Sequence, residues 1–377
     1  MNNQITPLIT QVLPNLQGGG AERIAVNLAN DWTGRGYRAD FALMDVRGEF
    51  LAELEEQVGV YNLHANRIRQ VPRLLYDYFR KRKPEVTLVH MWPLTTAAVI
   101  AWRLAGSPGK LFLCEHVGLT EHVQRTLSTS MNIAKLALRW SYPQASGLIA
   151  VSQGVARDLA QLSRLSPDAI QVIYNPVVSA ELLQTSRENE IEERQRFWQA
   201  QFSKTLITVG TLKKQKNHLL LIEAFSYISK ELDVGLVILG EGIERPGLEQ
   251  RIEELGLQER VRMPGFDCNP RPWLQAADLF VLSSDFEGLP TVLIEALACG
   301  TPIVSTACPH GPEEILDFGK YGTLVPVRDV GALVEAIRTK LREPKNPDAL
   351  KERAKFFSVE KIAAEYIDFF RSKNASV

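Results

Sequence analysis

Glu287 and Glu295 carry the clearest chemistry for their spacing, with seven residues between them in the run E-G-L-P-T-V-L-I-E. One carboxylate can accept hydrogen bonds from both hydroxyls of a vicinal diol. The stretch between them opens a helix, and a helix N-terminus binds phosphate through N–H groups that lack a partner within the helix. Diol, phosphate, diol is the outline of a nucleoside diphosphate sugar. The spacing by itself describes an ordinary pair of helix glutamates equally well. Lys216 closes the basic run Lys213-Lys214-Gln215-Lys216 ahead of another helix. At roughly 4 Å and an effective dielectric of about 20, one ammonium is worth about 4 kcal/mol against a phosphate charge. His116 is the third group. It follows an apolar stretch, where a histidine can donate to a sugar hydroxyl or to developing charge, or serve only as structure.

These side chains need strands to hold them. Leu279 to Ser284 is apolar and β-favouring, Gly288 and Pro290 break regular structure after it, and Thr291 to Cys299 reads as a helix stopped by Gly300. Ile303 to Ser305 resumes a strand. This is the strand–loop–helix–strand repeat of a parallel sheet, and Glu287 sits at a strand's carboxyl end, where open α/β sheets take ligands. Glu295 falls in a helix that is otherwise nearly all apolar, where an unpaired charge is expensive to bury. Thr205 to Val209, the basic loop and Leu219 to Ser229 repeat the pattern around Lys216. Lys110 to Cys114 reads as a strand leading into His116; His90, ending another strand, and His122 are competing histidines. Leu8 to Leu13 is a first strand, followed by Gly18-Gly19-Gly20 and a helix with Ala21, Ile24, Ala25, Leu28, Ala29 and Trp32 on one face. That run is not G-x-G-x-x-G, so it lets a phosphate or sugar approach the backbone, or is only a turn.

A chain of 377 residues is too long for one ordinary core, so two domains are expected. The formal net charge of -1 argues against a nucleic-acid partner. Residues 1–180 nevertheless hold 18 Lys and Arg against 14 Asp and Glu. Within them, 67–83 (RIRQVPRLLYDYFRKRK) has seven basic residues and one acid. That composition suits an anionic membrane surface and also a solvated helix face; 124–140 is a second basic amphipathic stretch of the same kind. The four cysteines form no C-x-x-C pair, which fits reduced thiols. The N-terminal MNNQITPLITQVLPN lacks a signal-peptide pattern, and no stretch approaches the roughly 20 apolar residues of a membrane span. The expected location is the cytoplasm, with any membrane contact made at its inner face.

The segment E-G-L-P-x-x-x-x-E-A-x-A-x-G-x-P-I-V at 287–304 resembles the Glu-x7-Glu motif of retaining glycosyltransferase family 4. GGGAER at 18–23, I-A-V-S-x-G-V at 149–155 and V-I-Y-N-P-V at 172–177 also resemble that family. The resemblance covers nearly the whole chain; it is strongest from Thr205 to Val327 and weakest around 50–110. It implies the α/β GT-B fold, two Rossmann-like βαβ domains facing an interdomain cleft. Residues 1–180 would form an acceptor-binding domain, 181–200 a linker and 201–355 a nucleotide-sugar-binding domain. Residues 356–377 would form a helix crossing back to the first domain.

The activity implied is transfer, with retention, of a sugar from a nucleoside diphosphate donor to a hydroxyl of a glycan or lipid-linked acceptor. UDP-linked hexose or N-acetylhexosamine is the expected donor, and surface polysaccharide or lipopolysaccharide the expected context. By the same resemblance Glu287 holds donor-sugar hydroxyls, Glu295 the ribose diol, and Lys216 the diphosphate together with the segment Gly288, Leu289, Thr291 and Val292. His116 faces the donor sugar, Gly19 and Gly20 lie beside the diphosphate and acceptor, and Gly265 and Phe266 lie beside the base. Thr211 stands where many members carry arginine, which leaves Lys213 or Lys214 as substitutes. No Asp-x-Asp pair occurs, so neither a metal nor another cofactor is expected. A 2-epimerase of the same architecture and a non-catalytic partner subunit are the alternatives.

Overall fold

The computed structural model describes residues 7–125, 130–184, 186–198 and 202–373. They fall into two compact units, Met1–Pro176 with Val359–Val377, and Val177–Ser358.

The first unit is built on seven strands: β1 (Leu8–Leu13), β2 (Arg38–Leu43), β3 (Gly59–Asn62), β4 (Val86–His90), β5 (Lys110–Glu115), β6 (Gly147–Ala150) and β7 (Ile170–Val172). They lie in the order β3-β2-β1-β4-β5-β6-β7, every pairing parallel. β1, β4 and β5 are buried almost throughout, the near-continuous apolar pattern of strands covered on both faces. β3 is short and half-buried, an edge strand whose GVYN carries little apolar signal.

The helix Val359–Ser372 belongs to this unit. Its Ile362, Tyr366 and Phe370 are buried; the Trp32 ring meets Tyr366 and Phe370 edge-on, and Trp32 Nε1 donates to the Ala363 carbonyl at 3.2 Å. Phe112 packs against both Phe369 and Phe370. Each such side chain is worth about 1.5–3 kcal/mol when buried, which holds the chain's last helix to its first sheet.

The second unit has β8 (Lys204–Val209), β9 (Val234–Leu239), β10 (Val261–Gly265), β11 (Leu279–Leu282), β12 (Ile303–Thr306) and β13 (Thr323–Val325), in the order β10-β9-β8-β11-β12-β13 and again parallel. Its core joins Leu206, Leu236, Ile238 and Val281 of the sheet to Leu221, Phe225, Leu333 and Ile337 of its helices. The polar stretch read as a linker contains the helix Glu188–Trp198, which belongs to this unit. Its Arg194 lies over the Trp273 ring at 4.8 Å and pairs with Asp267 at 3.6 Å. The unit boundaries therefore fall at 176/177 and 358/359.

Candidate active site

Strand order in the second sheet reverses at β8, with β9 and β10 on one side and β11 to β13 on the other. Loops leaving β8 and β11 depart to opposite faces and open a crevice at the strands' carboxyl ends. Lys216 is in the loop after β8 and Glu287 in the loop after β11. After β8 the chain makes the tight turn Lys214–Lys216, and Asn217, at φ 46, caps the helix His218–Ile228 by accepting from Leu220 N–H. Asparagine tolerates that left-handed conformation and supplies the cap.

The two loops are bonded together. Lys216 Nζ lies 2.7 Å from Glu287 Oε1, and Ser284 Oγ donates to the same oxygen at 2.6 Å. Gln215 Nε2 donates to the Phe286 carbonyl at 2.8 Å and to Glu287 Oε2 at 3.4 Å. Asp285 N–H donates to the Gln215 carbonyl, Ser283 Oγ–H to the Lys216 carbonyl, and Asn217 Nδ2 to Asp285 Oδ1. Glu287 Oε1 thus has two firm donors and Oε2 one long one, which leaves Oε2 the greater capacity to accept from a hydroxyl.

The helix Thr291–Cys299 begins at Pro290 with no side-chain cap. Its first-turn N–H groups have no acceptor within the helix, which is the arrangement of an anion site. Gly288, Leu289 and Val292 are buried beneath it. Thr291 and Glu295 are the half-exposed residues of an otherwise buried helix, and a separation of four sets them on one face. Glu295 is therefore less enclosed than its apolar neighbours imply. Gly311, at φ 90, passes close behind this turn: a Cβ there would come within 2.7 Å of the Gly288 carbonyl oxygen and Pro290 Cδ.

Thr211, Lys213 and Lys214 are exposed. A guanidinium does reach the Glu287 loop, but from elsewhere: Arg328, after β13, pairs with Asp285 at 2.6 Å. Gly265 ends β10 at φ 100, followed by an exposed Phe266. The neighbouring turn is tied down by Arg245, which pairs with both Glu241 oxygens and donates to the Met263 carbonyl.

In the first sheet the reversal lies at β1, between β2 and β4. Gly19 precedes the helix Gly20–Gly34 in extended conformation without a side-chain cap. The Glu22 carboxylate occupies the space over Gly19, 2.1 Å from where a Cβ would be. An acid already faces this helix N-terminus, and a phosphate there would have to displace it.

His116, after β5, is paired with His90 at the end of β4: His90 Nδ1 and His116 Nε2 are 2.8 Å apart with the rings stacked. His90 Nε2 in turn lies 3.0 Å from Gln11 Oε1 on β1. Burial pushes His116 down to about 4 and His90 well below the usual histidine range. Cys114 brings a third soft donor within 4.8 Å of both rings, a set of the type that holds zinc or copper. Next to His116 is the buried Glu115, which accepts from Tyr142 OH, Thr95 Oγ1 and Trp92 N–H; burial raises it to about 7. All four cysteines are free thiols.

Sequence reasoning singled out Lys216, Glu287 and His116 but missed Ser284, Gln215 and Gln11. Gln11 had a legible signal, a polar side chain inside the apolar strand LITQVL. Ser284 ends a strand, where serine is unremarkable in sequence.

Residues 18–181 match the family model described as Glycosyltransferase Family 4, and residues 190–356 the one described as Glycosyl transferases group 1. A relative from Campylobacter jejuni, N-acetylgalactosamine-N,N'-diacetylbacillosaminyl-diphospho-undecaprenol 4-alpha-N-acetylgalactosaminyltransferase, is 33% identical over 241 residues. That match spans 63% of this chain and 63% of the relative's length. A lipopolysaccharide core biosynthesis glycosyltransferase, LpsE of Rhizobium meliloti, is 28% identical over 371 residues, 94% of this chain and 96% of its own. The crystal structure of Anabaena Alr3699/HepE in complex with UDP-glucose superposes with a TM-score of 0.82 at 21% identity, covering 97% of this chain and 99% of that one.

Proposed function

This chain belongs to the GT-B glycosyltransferases of the family 4 type, and from that premise we propose that it transfers a sugar from a UDP-sugar to an acceptor hydroxyl with retention of configuration. The observation that carries the reading is the crevice at β8 and β11. There a buried lysine–glutamate pair, an uncapped helix N-terminus and the outward face of Thr291 and Glu295 come together. Glu295 holds the ribose diol, and the first-turn amides at Thr291 and Val292 with Lys216 hold the diphosphate. Glu287 takes donor-sugar hydroxyls on Oε2.

In the reaction the bond from the anomeric carbon to the β-phosphate oxygen breaks, and a bond from the acceptor oxygen forms on the same face. The acceptor proton passes to the departing phosphate oxygen. Lys216 and the amides stabilise the charge that develops there. The residues named need no metal for this. A lipid-linked or lipopolysaccharide acceptor is supported by what the Campylobacter and Rhizobium relatives act on by name. The test is release of UDP from a panel of UDP-sugars. Release that requires an acceptor supports transfer, whereas release or epimerisation without one, or no turnover by the lone chain, supports the alternatives.

A membrane-borne acceptor gains support from one further observation. Among the described residues no helix is long and apolar enough to cross a membrane. In 67–83 the apolar residues Val71, Leu75, Tyr78 and Phe79 are buried and only the basic ones face outward, so nothing apolar is left to insert. The helix Met131–Ser141 differs: Ile133, Leu136 and Trp140, on one face, are 61%, 71% and 50% exposed, with Lys135 and Arg139 alongside. That stripe with basic flanks suits the surface of an anionic bilayer, and it is the contact we assign.

A further inference from the structure

The hydrogen bonds leading to His116 run in a direction that their chemistry dictates. Gln11 Nε2 donates to the Ala25 carbonyl at 2.8 Å, which leaves Gln11 Oε1 turned toward His90. An amide oxygen only accepts, so His90 Nε2 carries a proton. A neutral imidazole has one N–H; His90 Nδ1 is therefore bare and accepts from His116 Nε2–H. His116 Nδ1 is then a bare lone pair. Both rings are buried, His90 fully and His116 with 7% exposed, and burial disfavours the charged form of each. Among the described residues no group donates to His116 Nδ1. A buried acceptor left without a donor is costly, and such atoms gather at functional sites.

We propose that Gln11 and His90 are positioning residues that lock His116 as a hydrogen-bond acceptor, whose Nδ1 lone pair takes the O–H of a donor-sugar hydroxyl. The sugar in this statement rests on the transferase reading; the proton arrangement rests on the first unit alone. It corrects one expectation from sequence, since a histidine held this way accepts from a hydroxyl and has no proton to give it. The same bonds weigh against a metal on His90, Cys114 and His116. His90 Nδ1 and His116 Nε2 face each other across a shared proton, so His90 Nδ1 has no lone pair to spare.

Nitrogen-15 spectra of the chain labelled in histidine read the tautomer directly, with His116 assigned by the signals lost in His116→Gln. The expected result is a neutral Nε2–H tautomer for His116 from about pH 6 to 8. UDP-glucose or UDP-N-acetylglucosamine should move the Nδ1 signal, and UDP alone should not. Gln11→Glu places a carboxylate against His90, favours its doubly protonated form and reverses the bond, so that His116 takes its proton on Nδ1. Turnover in that variant should fall about tenfold with UDP affinity unchanged. If the variant fails to fold, the wild-type spectrum carries the test. An Nδ1–H tautomer in the free wild-type chain overturns the proposal, as does an Nδ1 signal unmoved by a sugar nucleotide that demonstrably binds. If no sugar nucleotide stabilises the chain, the transferase reading fails and the hydroxyl contact with it. The spectrum of the free chain still upholds or overturns the relay.

Discussion

Lys216 Nζ and Glu287 Oε1 meet at 2.7 Å, with both side chains largely buried, and join the loops after β8 and β11 at the point where strand order reverses. The same contact that orients Glu287 toward a sugar also closes the floor of the crevice. Removing one partner of such a pair leaves a buried charge unpaired, which destabilises by about 3–5 kcal/mol, more than the pair itself contributes. Lys216→Met should therefore lower stability by that order and abolish transfer. Adding Glu287→Gln removes the stranded charge and should restore part of the stability but none of the activity. Chemical denaturation of the single and double variants decides it; a double variant less stable than Lys216→Met alone would falsify the pairing.

Glu295 is half-exposed, so Glu295→Ala should leave stability within about 0.5 kcal/mol. If its carboxylate holds the ribose diol, two hydrogen bonds to a charged group are lost, each about 1.5–3 kcal/mol. UDP affinity by calorimetry should drop at least tenfold. Unchanged affinity would sink the ribose role.

At Gly311 the backbone is left-handed and the space for a Cβ is taken by the Gly288 carbonyl and Pro290. Gly311→Ala should destabilise by more than about 1 kcal/mol and weaken UDP binding, because relief comes only by shifting the turn that starts the helix Thr291–Cys299. Gly34, at the end of a helix with nothing within 4 Å, is the control: Gly34→Ala should be neutral or stabilising. Equal effects in the two variants would argue against the close approach.

Acid should weaken the fold earlier than its carboxylates alone dictate. His116 is pushed down to about 4 and His218 to about 3, and His90 is lowered as well, all by burial. Below about pH 6.5 the unfolded chain takes up protons that these buried rings refuse, so stability falls by about 1.4 kcal/mol per pH unit for each. Glu115, raised to about 7, has the opposite sign: its contribution is full below about 4.5 and is lost as the pH rises through 7. One carboxyl offsets one histidine, and the net slope remains downward. Calorimetric melting between pH 7.5 and 5.5 should show the fall, and His116→Gln should flatten it. A melting temperature that rises over that interval would contradict the burial of these rings.

Ile133→Glu with Leu136→Glu removes the exposed stripe without touching the core. Co-sedimentation with vesicles containing phosphatidylglycerol should be lost in this variant and kept in Arg73→Glu. The reverse pattern would return the contact to 67–83.

The strands and the loops at their carboxyl ends were legible because parallel strands buried on both faces are written as unbroken apolar runs, and glycine and proline punctuate their ends. LITQVL and LFVL announce β1 and β11, and Gly288 and Pro290 announce the turn that carries Glu287. Residues near in the chain could be read together, which is why Glu287 and Glu295 stood out as a pair. Partners far apart in the chain could not. Nothing local says that Lys216 would meet a glutamate 71 positions on, that Arg328 would reach Asp285, or that Gln11 would set a proton on His90 79 positions away. Those contacts come from strand order. β8 lies beside β11, and β1 beside β4, only because crossover helices carry the chain back across the sheet. Sequence determined which residues stand at the ends of strands; the folded sheets alone decided which of those ends are neighbours.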